Sequence, residues 1–258
     1  MTNGLVSIIM PSFNCGQYIE ETVSSVRNQT YQDWELIFFD DFSKDDSLKI
    51  IKKIQLSDNR IKVYSNDENS GAAVTRNRAL REAKGRWIAF LDSDDIWEPT
   101  KLEKQVKFME ENNLSFSYTG YQEIDEKSNV TGVFVSGPNQ VSKIGMFAFC
   151  WPGCLTVMYD REKIGLIQIA DIKKNNDYAM WLKVCRKADC YLLNECLAKY
   201  RRGRTGSVSS HGIMTMIRWH YRLWREAEGY NPISSFFLTA LNLTFGLFKK
   251  FRYVKKLH

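Results

Sequence analysis

Trp87-Ile88-Ala89-Phe90-Leu91-Asp92-Ser93-Asp94-Asp95 is the stretch on which the fold turns. Five apolar residues in a row, bulky or aromatic but for one alanine, suit a strand buried on both faces. Three acids follow it at once. The same design stands upstream in Glu35-Leu36-Ile37-Phe38-Phe39-Asp40-Asp41. Further apolar runs at 6–10, 61–64 and 115–118 complete a set of five expected strands. Helical patterns separate them. Ile19, Val23 and Val26 share one face over 17–28. Ser43 with Asp46 reads as a capping box before a helix carrying Ile50, Ile51 and Ile54. A helix over 72–84 is closed by Gly85, and another follows Pro99 with Leu102, Val106 and Met109. Residues 175–187 return to helix, whereas 120–170 show no clear period around the aromatic cluster 146–151. Strand–helix alternation at this spacing predicts an α/β fold: a doubly wound, Rossmann-like and mostly parallel sheet. In such sheets ligands bind beyond the carboxyl ends of the strands.

Five carboxylates stand at two of those ends: Asp40, Asp41, Asp92, Asp94 and Asp95. Like charges held together repel, and a cation relieves them. Carboxylate oxygens suit Mg²⁺ or Mn²⁺, which commonly completes its shell with substrate phosphates. The residues themselves therefore point to a metal-dependent nucleotide or diphosphate site. The plainer alternative is a solvated acidic turn that caps the next helix.

Composition narrows the class. At 258 residues, 44% hydrophobic and 26% charged, the chain is an ordinary globular protein with ample core. Its six cysteines form no C-x-x-C pair and only three histidines exist, so neither a zinc site nor a disulfide framework is expected. The amino terminus lacks a basic region and a long apolar run, which argues against a signal peptide and for a cytoplasmic protein with reduced thiols.

The net charge of +6 is uneven. From Lys199 onward twelve Lys and Arg stand against two acids, whereas the first 198 residues hold 24 basic and 28 acidic side chains. Residues 229–248 carry no charge and are followed by Lys249, Lys250, Arg252, Lys255 and Lys256. Phe237, Leu241, Thr244, Phe248 and Phe251 recur at helical spacing, but interspersed Asn, Ser and Pro make the run poor for spanning a bilayer. Residues 229–258 are thus expected to lie on an anionic membrane surface, peripherally on the inner face of the cell membrane. Packing on the domain or a homodimer contact are the alternatives, and nucleic acid is not the expected partner. The expected organisation is a catalytic domain over 1–205 and a basic, amphipathic helical tail over 206–258.

Four ordered segments resemble the family 2 glycosyltransferases of the GT-A fold. They are Val6-Ser7-Ile8-Ile9-Met10-Pro11-Ser12-Phe13-Asn14, Glu35 through Asp41-Phe42-Ser43, Asn69-Ser70-Gly71-Ala72-Ala73-Val74-Thr75-Arg76-Asn77, and Gly85 through Asp95. The resemblance implies an inverting enzyme that moves a sugar from a nucleotide diphosphate to an acceptor hydroxyl. It places Pro11, Phe13 and Ser93 against the donor, with Phe13 stacked on the base. Asp41 would accept a hydrogen bond from uracil, with Asp40 sharing that duty or holding the strand end. Arg76 would lie near base and phosphates, Asp92 near the ribose and the metal, and Asp94 on the metal, Mn²⁺ or Mg²⁺.

Asn175-Asn176-Asp177-Tyr178-Ala179-Met180-Trp181 is similar to the family segment that holds the catalytic base. Asp177 is then the base, also capping its helix. Asn176 departs from the acid usual before it. Tyr200-Arg201-Arg202-Gly203-Arg204-Thr205-Gly206-Ser207 resembles a family stretch in which Arg201, Arg202 or Arg204 would clamp the diphosphate. Thr215-Met216-Ile217-Arg218-Trp219 lacks the Gln of processive members, so addition of one sugar is expected, with Trp219, Tyr221 and Trp224 as packing or interfacial residues. The expected acceptor is a lipid-linked oligosaccharide or other saccharide of surface polysaccharide assembly, and the expected donor a UDP-sugar. A nucleotidyltransferase would want a glycine-rich phosphate loop that Pro11–Gly16 does not supply, and a non-catalytic nucleotide-sugar binder is the other alternative.

Overall fold

A computed structural model describes residues 4–203 and 212–256. Its first half is the expected parallel sheet: β1 (Val6–Ser12), β2 (Trp34–Asp40), β3 (Ile61–Ser65) and β4 (Trp87–Phe90), lying in the order 3-2-1-4. Alternation along these strands divides the core. Val6, Ile8, Met10, Leu36 and Phe38 pack with α1 (Gly16–Arg27), α2 (Ser47–Gln55) and α4 (Lys101–Glu111). Ile9, Ile37, Ile88 and Phe90 pack with α3 (Ala72–Glu82) and α7 (Asn176–Cys185) on the other face. Each such fully buried aliphatic or aromatic side chain contributes ~1.5–3 kcal/mol.

The second half corrects the mostly parallel expectation, because the sheet is mixed. β9 (Met158–Asp160) runs antiparallel between β4 and β6 (Phe116–Ile124), and β7 (Val130–Val135) is antiparallel to β6. A tight turn decides the last pairing: the Asp125 carboxylate accepts the N–H groups of Lys127 and Asn129, and Ser128 adopts φ +66°. A connection that short joins only antiparallel strands. β10 (Cys190–Arg201) lies parallel to β6 and antiparallel to β5 (Ile96–Trp97) and β8 (Gln140–Val141).

The strand order reverses at β1, since β2 and β3 extend to one side and β4 to the other. That is a switch point, where the loops leaving β1 and β4 diverge and open a crevice. β1 also separates the two acidic strand ends, so they are not neighbours. Two strand spacings put them about 10 Å apart.

Two local signals act differently from their expected roles. Ser43 does not cap α2, which begins at Ser47; its N–H and hydroxyl go to the Asp40 carboxylate, at 2.9 and 2.6 Å. Gly85 is not a left-handed stop, because α3 already ends in extended backbone at Ala83. A Cβ at Gly85 would stand 2.5 Å from the Leu5 carbonyl oxygen, so the site demands close backbone approach.

The carboxyl-terminal elements are built into the domain. α5 (Lys143–Ala148) and α6 (Arg161–Ile164) precede α7, and α8 (Ile213–Arg222) leads through a π-helical turn to α9 (Pro232–Tyr253). β11 (Val254–Lys256) then pairs with β7. α9 starts on Asn231, whose side chain accepts the Ser234 N–H, with Pro232 in its first turn. Its inner face mixes buried Ser235, Thr239 and Asn242 with Leu238 and Phe245, which pack on the core. Asn242 is buried, accepts the Trp224 indole N–H at 3.1 Å, and donates to the carbonyls of Phe147 and Ala148 and to the Tyr178 hydroxyl. Its outer face is apolar, with Phe237 66% and Phe251 90% exposed. Lys249 leaves the basic cluster: its ammonium bonds the Trp151 carbonyl at 2.7 Å, and burial lowers it to about 8. Among the described residues no helix is long and apolar enough to cross a membrane.

Candidate active site

The loops leaving β1, β2 and β4 enclose a cleft of about 1030 Å³. Pro11, Phe13, Asp41, Arg76, Asp92, Ser93, Asp94 and Arg201 line it, so eight of the expected site residues share one wall system. The first two loops are tied together. Asn14 N–H donates to Ser43 Oγ, Cys15 N–H to Ser47 Oγ and Gly16 N–H to Asp45 Oδ2, all within 3.0 Å. Asn14 and Phe42 both hold positive φ, at 49° and 63°. Left-handed backbone at two non-glycine residues beside a cleft is strain that the surrounding bonds hold in place. Phe13 stands 42% exposed on this loop.

Asp41 is buried, and its carboxylate organises the start of α3. One oxygen accepts from Asn66 Nδ2 and Ser70 N–H, the other from Gly71 N–H, between 2.7 and 2.9 Å. Gly71 takes φ +84°, which a side chain would resist. Three donors leave a carboxylate room for one more. Asp40 is placed differently from the expectation of a shared duty. It does not line the cleft, and its carboxylate holds the strand end through Ser43.

Arg76 joins two parts of the chain that sequence leaves apart. Its guanidinium pairs with the Asp92 carboxylate and donates to Asn176 Oδ1 at 2.9 Å. Asp177 follows directly, half-buried, its carboxylate accepting the Tyr178 N–H at 2.8 Å. Burial raises the Asp177 carboxyl above the usual range, and the Arg76 cation partly offsets that rise. Asp177 itself does not line the cleft, and it is not the helix cap, because Asn175 holds that position in left-handed backbone.

The metal question turns on Asp92, Asp94 and Asp95. Asp95 is buried, with Oδ1 accepting the Arg201 N–H at 2.9 Å; burial and the nearby Asp94 and Asp92 raise its carboxyl well above the usual range. Burial and the same three acids raise the Tyr200 hydroxyl. Such crowding of hard oxygen donors suits a divalent cation. No described group of three or more His, Cys, Asp or Glu is arranged to hold one alone.

Of the three arginines expected to include a diphosphate clamp, Arg201 has its guanidinium taken up by the protein, and Arg202 pairs with Glu123 at 2.8 Å. The Arg201 guanidinium is buried and donates to Asp94 O at 2.7 Å, Asp125 O at 3.1 Å, Glu126 O at 3.3 Å, Ser128 Oγ at 2.9 Å and Glu21 Oε2 at 2.7 Å, while stacking on Tyr18. These bonds engage all three guanidinium nitrogens. Arg201 therefore holds the Asp92–Asp95 turn in place. Arg204 lies outside the described residues. Tyr18, Glu126, Lys173, Lys174 and Tyr200 also line the cleft. Sequence reading missed them as site residues because they sit far from the acidic strand ends; only Tyr200, beside Arg201, carried a local signal.

The model of glycosyl transferase family 2 matches residues 7–140, just over half the chain. The chain belongs to this family. A Bacillus subtilis glycosyltransferase named for teichuronic acid biosynthesis, TuaG, is 46% identical over 88% of this chain and 91% of its own. The Escherichia coli UDP-Glc:alpha-D-GlcNAc-diphosphoundecaprenol beta-1,3-glucosyltransferase WfgD is 41% identical over 84% and 85%. Among solved structures, S. aureus TarS 1–349 with UDP-GlcNAc superposes with a TM-score of 0.68 at 20% identity, over 95% of this chain and 72% of that one; the chain spans 43% of whole TarS. The mannosyltransferase PcManGT of Pyrobaculum calidifontis, with GDP-Man and Mn²⁺, reaches 0.64 at 16% identity over 94% and 74%. The fold of this family 2 glycosyltransferase is thus GT-A, an α/β sheet with a carboxyl-terminal helix.

Proposed function

We propose that this glycosyltransferase moves one sugar from a UDP-sugar to a hydroxyl of a lipid-linked diphosphate saccharide, with inversion, in surface polysaccharide assembly. The observation that carries this reading is the Arg76 bridge between Asp92 and Asn176, which ties the acidic strand end in the cleft to the start of the Asp177 helix. Relatives named for diphosphoundecaprenol acceptors and a neighbour bound to UDP-GlcNAc support donor and acceptor.

In this reading Phe13 stacks on the base and the remaining acceptor capacity of Asp41 takes a base N–H. Pro11 and Ser93 shape the donor seat. Asp92 and Asp94 hold Mn²⁺ or Mg²⁺, which when bound stabilises charge on the departing diphosphate. Asp177 takes the proton from the acceptor hydroxyl as it attacks from the opposite face of the sugar. Residues 1–205 hold this chemistry and 206–258 form the tail; that boundary falls outside the described residues.

A screen of nucleotide sugars with Mn²⁺ and a diphosphate-linked acceptor, reading released nucleotide, tests the reaction. UDP release is the expected result, and none from any UDP-sugar defeats the donor assignment. Calorimetry adds a second check. Asp94→Asn should lower UDP affinity in Mn²⁺ by at least the roughly 10–100-fold that loss of even a supporting group costs a metal site. Equal affinities with and without the substitution would remove Asp94 from that role.

The apolar outer face of α9 and exposed Lys250, Arg252, Lys255 and Lys256 form the membrane-facing surface of the same reading. Deleting the tail would strip β11 and Asn242 from the core, so point substitutions give the cleaner test. Phe237→Ser with Phe251→Ser should weaken binding to anionic vesicles by on the order of tenfold or more, with an unchanged melting temperature. Undiminished binding would point to another surface.

A further inference from the structure

The cleft holds four described cations, and the fold has already committed two of them. Arg76 is bound to Asp92 and Asn176, and Arg201 is enclosed by carbonyls and Glu21. Lys173 and Lys174 remain. Lys173 is exposed and Lys174 half-buried. Among the described residues neither has a carboxylate within ion-pair distance.

Their position is held from three sides. Asn77 on α3 clasps the segment before them, donating to Ile169 O at 2.9 Å and accepting Ile169 N–H at 2.7 Å. Ile172 is buried in the core just before the pair. The Lys174 ammonium stands 5.3 Å from the centre of the Trp219 ring on α8, a cation–π contact that fixes its direction. Burial and the charge of Lys173 beside it lower the Lys174 ammonium from its ordinary range. A bound anion would relieve both.

We propose that Lys173 and Lys174 seat the diphosphate of the acceptor. The inference rests on the glycosyl-transfer reading above and deepens it. Charge matches, since a diphosphate diester carries two negative charges and the pair two positive ones. Position also matches. The acceptor hydroxyl must reach Asp177, and Lys174 lies three residues before it on the same segment. The donor diphosphate is assigned in the same reading to the cation on Asp92 and Asp94, which already supplies its positive charge. The lysines therefore serve the second substrate and select acceptors that bear a diphosphate.

The test uses the full chain, a UDP-sugar with Mn²⁺, and two synthetic acceptors with the same sugar. One carries it on a short-alkyl diphosphate, the other on a neutral alkyl glycoside. Lys173→Gln with Lys174→Gln should raise KM for the diphosphate acceptor by about tenfold, from the loss of charge-assisted bonds. KM for the donor and for the neutral acceptor should hold, and Lys173→Arg with Lys174→Arg should restore most of the loss. A rise confined to the donor KM, or equal rises for both acceptors, overturns the site. A binding measurement separates this proposal from the reaction itself. Calorimetry of the alkyl diphosphate against protein loaded with UDP and Mn²⁺ should show uptake that the double Gln variant loses, whether or not turnover occurs. Equal uptake by both proteins overturns the site, whereas an inactive parent that still shows the difference overturns only the donor or acceptor assignment.

Discussion

Asp177→Asn should lower turnover by roughly 10²–10⁴-fold, the range a positioned general base supplies. UDP affinity in Mn²⁺ should not change. The substitution keeps the shape and the acceptor for Tyr178 N–H, and it leaves Arg76 on Asp92 and Asn176. The ability to take a proton is lost, together with the carboxylate's charge beside Arg76. The pH profile of the parent carries the same signature. A base works deprotonated, so activity falls as pH falls through its pKa. Burial raises the Asp177 carboxyl above the usual Asp value of about 4, so the acid limb should lie above that value. Asp177→Asn should remove that limb from whatever rate remains. A variant with parental turnover would place the base elsewhere in this cleft.

Arg201→Ala should produce the largest loss of stability of any single change in the cleft wall. Breaking a buried, hydrogen-bonded charge costs ~3–5 kcal/mol. Here the partner Glu21 is 43% exposed and recovers water, but the carbonyls of Asp94, Asp125 and Glu126 lose their donor. For a chain of this size the melting temperature should drop by on the order of 10 °C. Donor affinity should fall with it, because the Asp94 carbonyl is what Arg201 Nε holds at 2.7 Å. Arg201→Lys keeps the charge but not the fork, and it should recover only a minor part. A variant that melts with the parent would mean that other groups support the Asp92–Asp95 turn.

Much of the first half of this protein is written in local pattern. The strands β1, β2 and β4 are apolar because both faces are covered, so each appears as a short continuous run. Asp41, Asp92 and Asp94 were legible as site residues because an acid after such a run must meet solvent or a ligand. Residues 120–170 were not legible. β6 and β7 form a half-covered hairpin whose register is set by the Asp125 turn, and β9 takes only three residues from an irregular stretch. The carboxyl-terminal helix was legible in its apolar stripe but not in its partner: buried Asn242 faces the core beside Leu238 and Phe245, while Phe237 and Phe251 face out.

The amino-acid sequence alone determined the strand–helix order of the first 118 residues, the acidic strand ends and the family, since each follows from neighbours along the chain. Tertiary structure alone decided what the charged side chains do. Arg76 meets Asp92 across 16 positions and Asn176 across 100, and Arg201 meets Glu21 across 180. Periodicity reports which face of an element is buried. It does not report which partner a buried charge finds, because that choice depends on desolvation and geometry among residues that only the fold brings together.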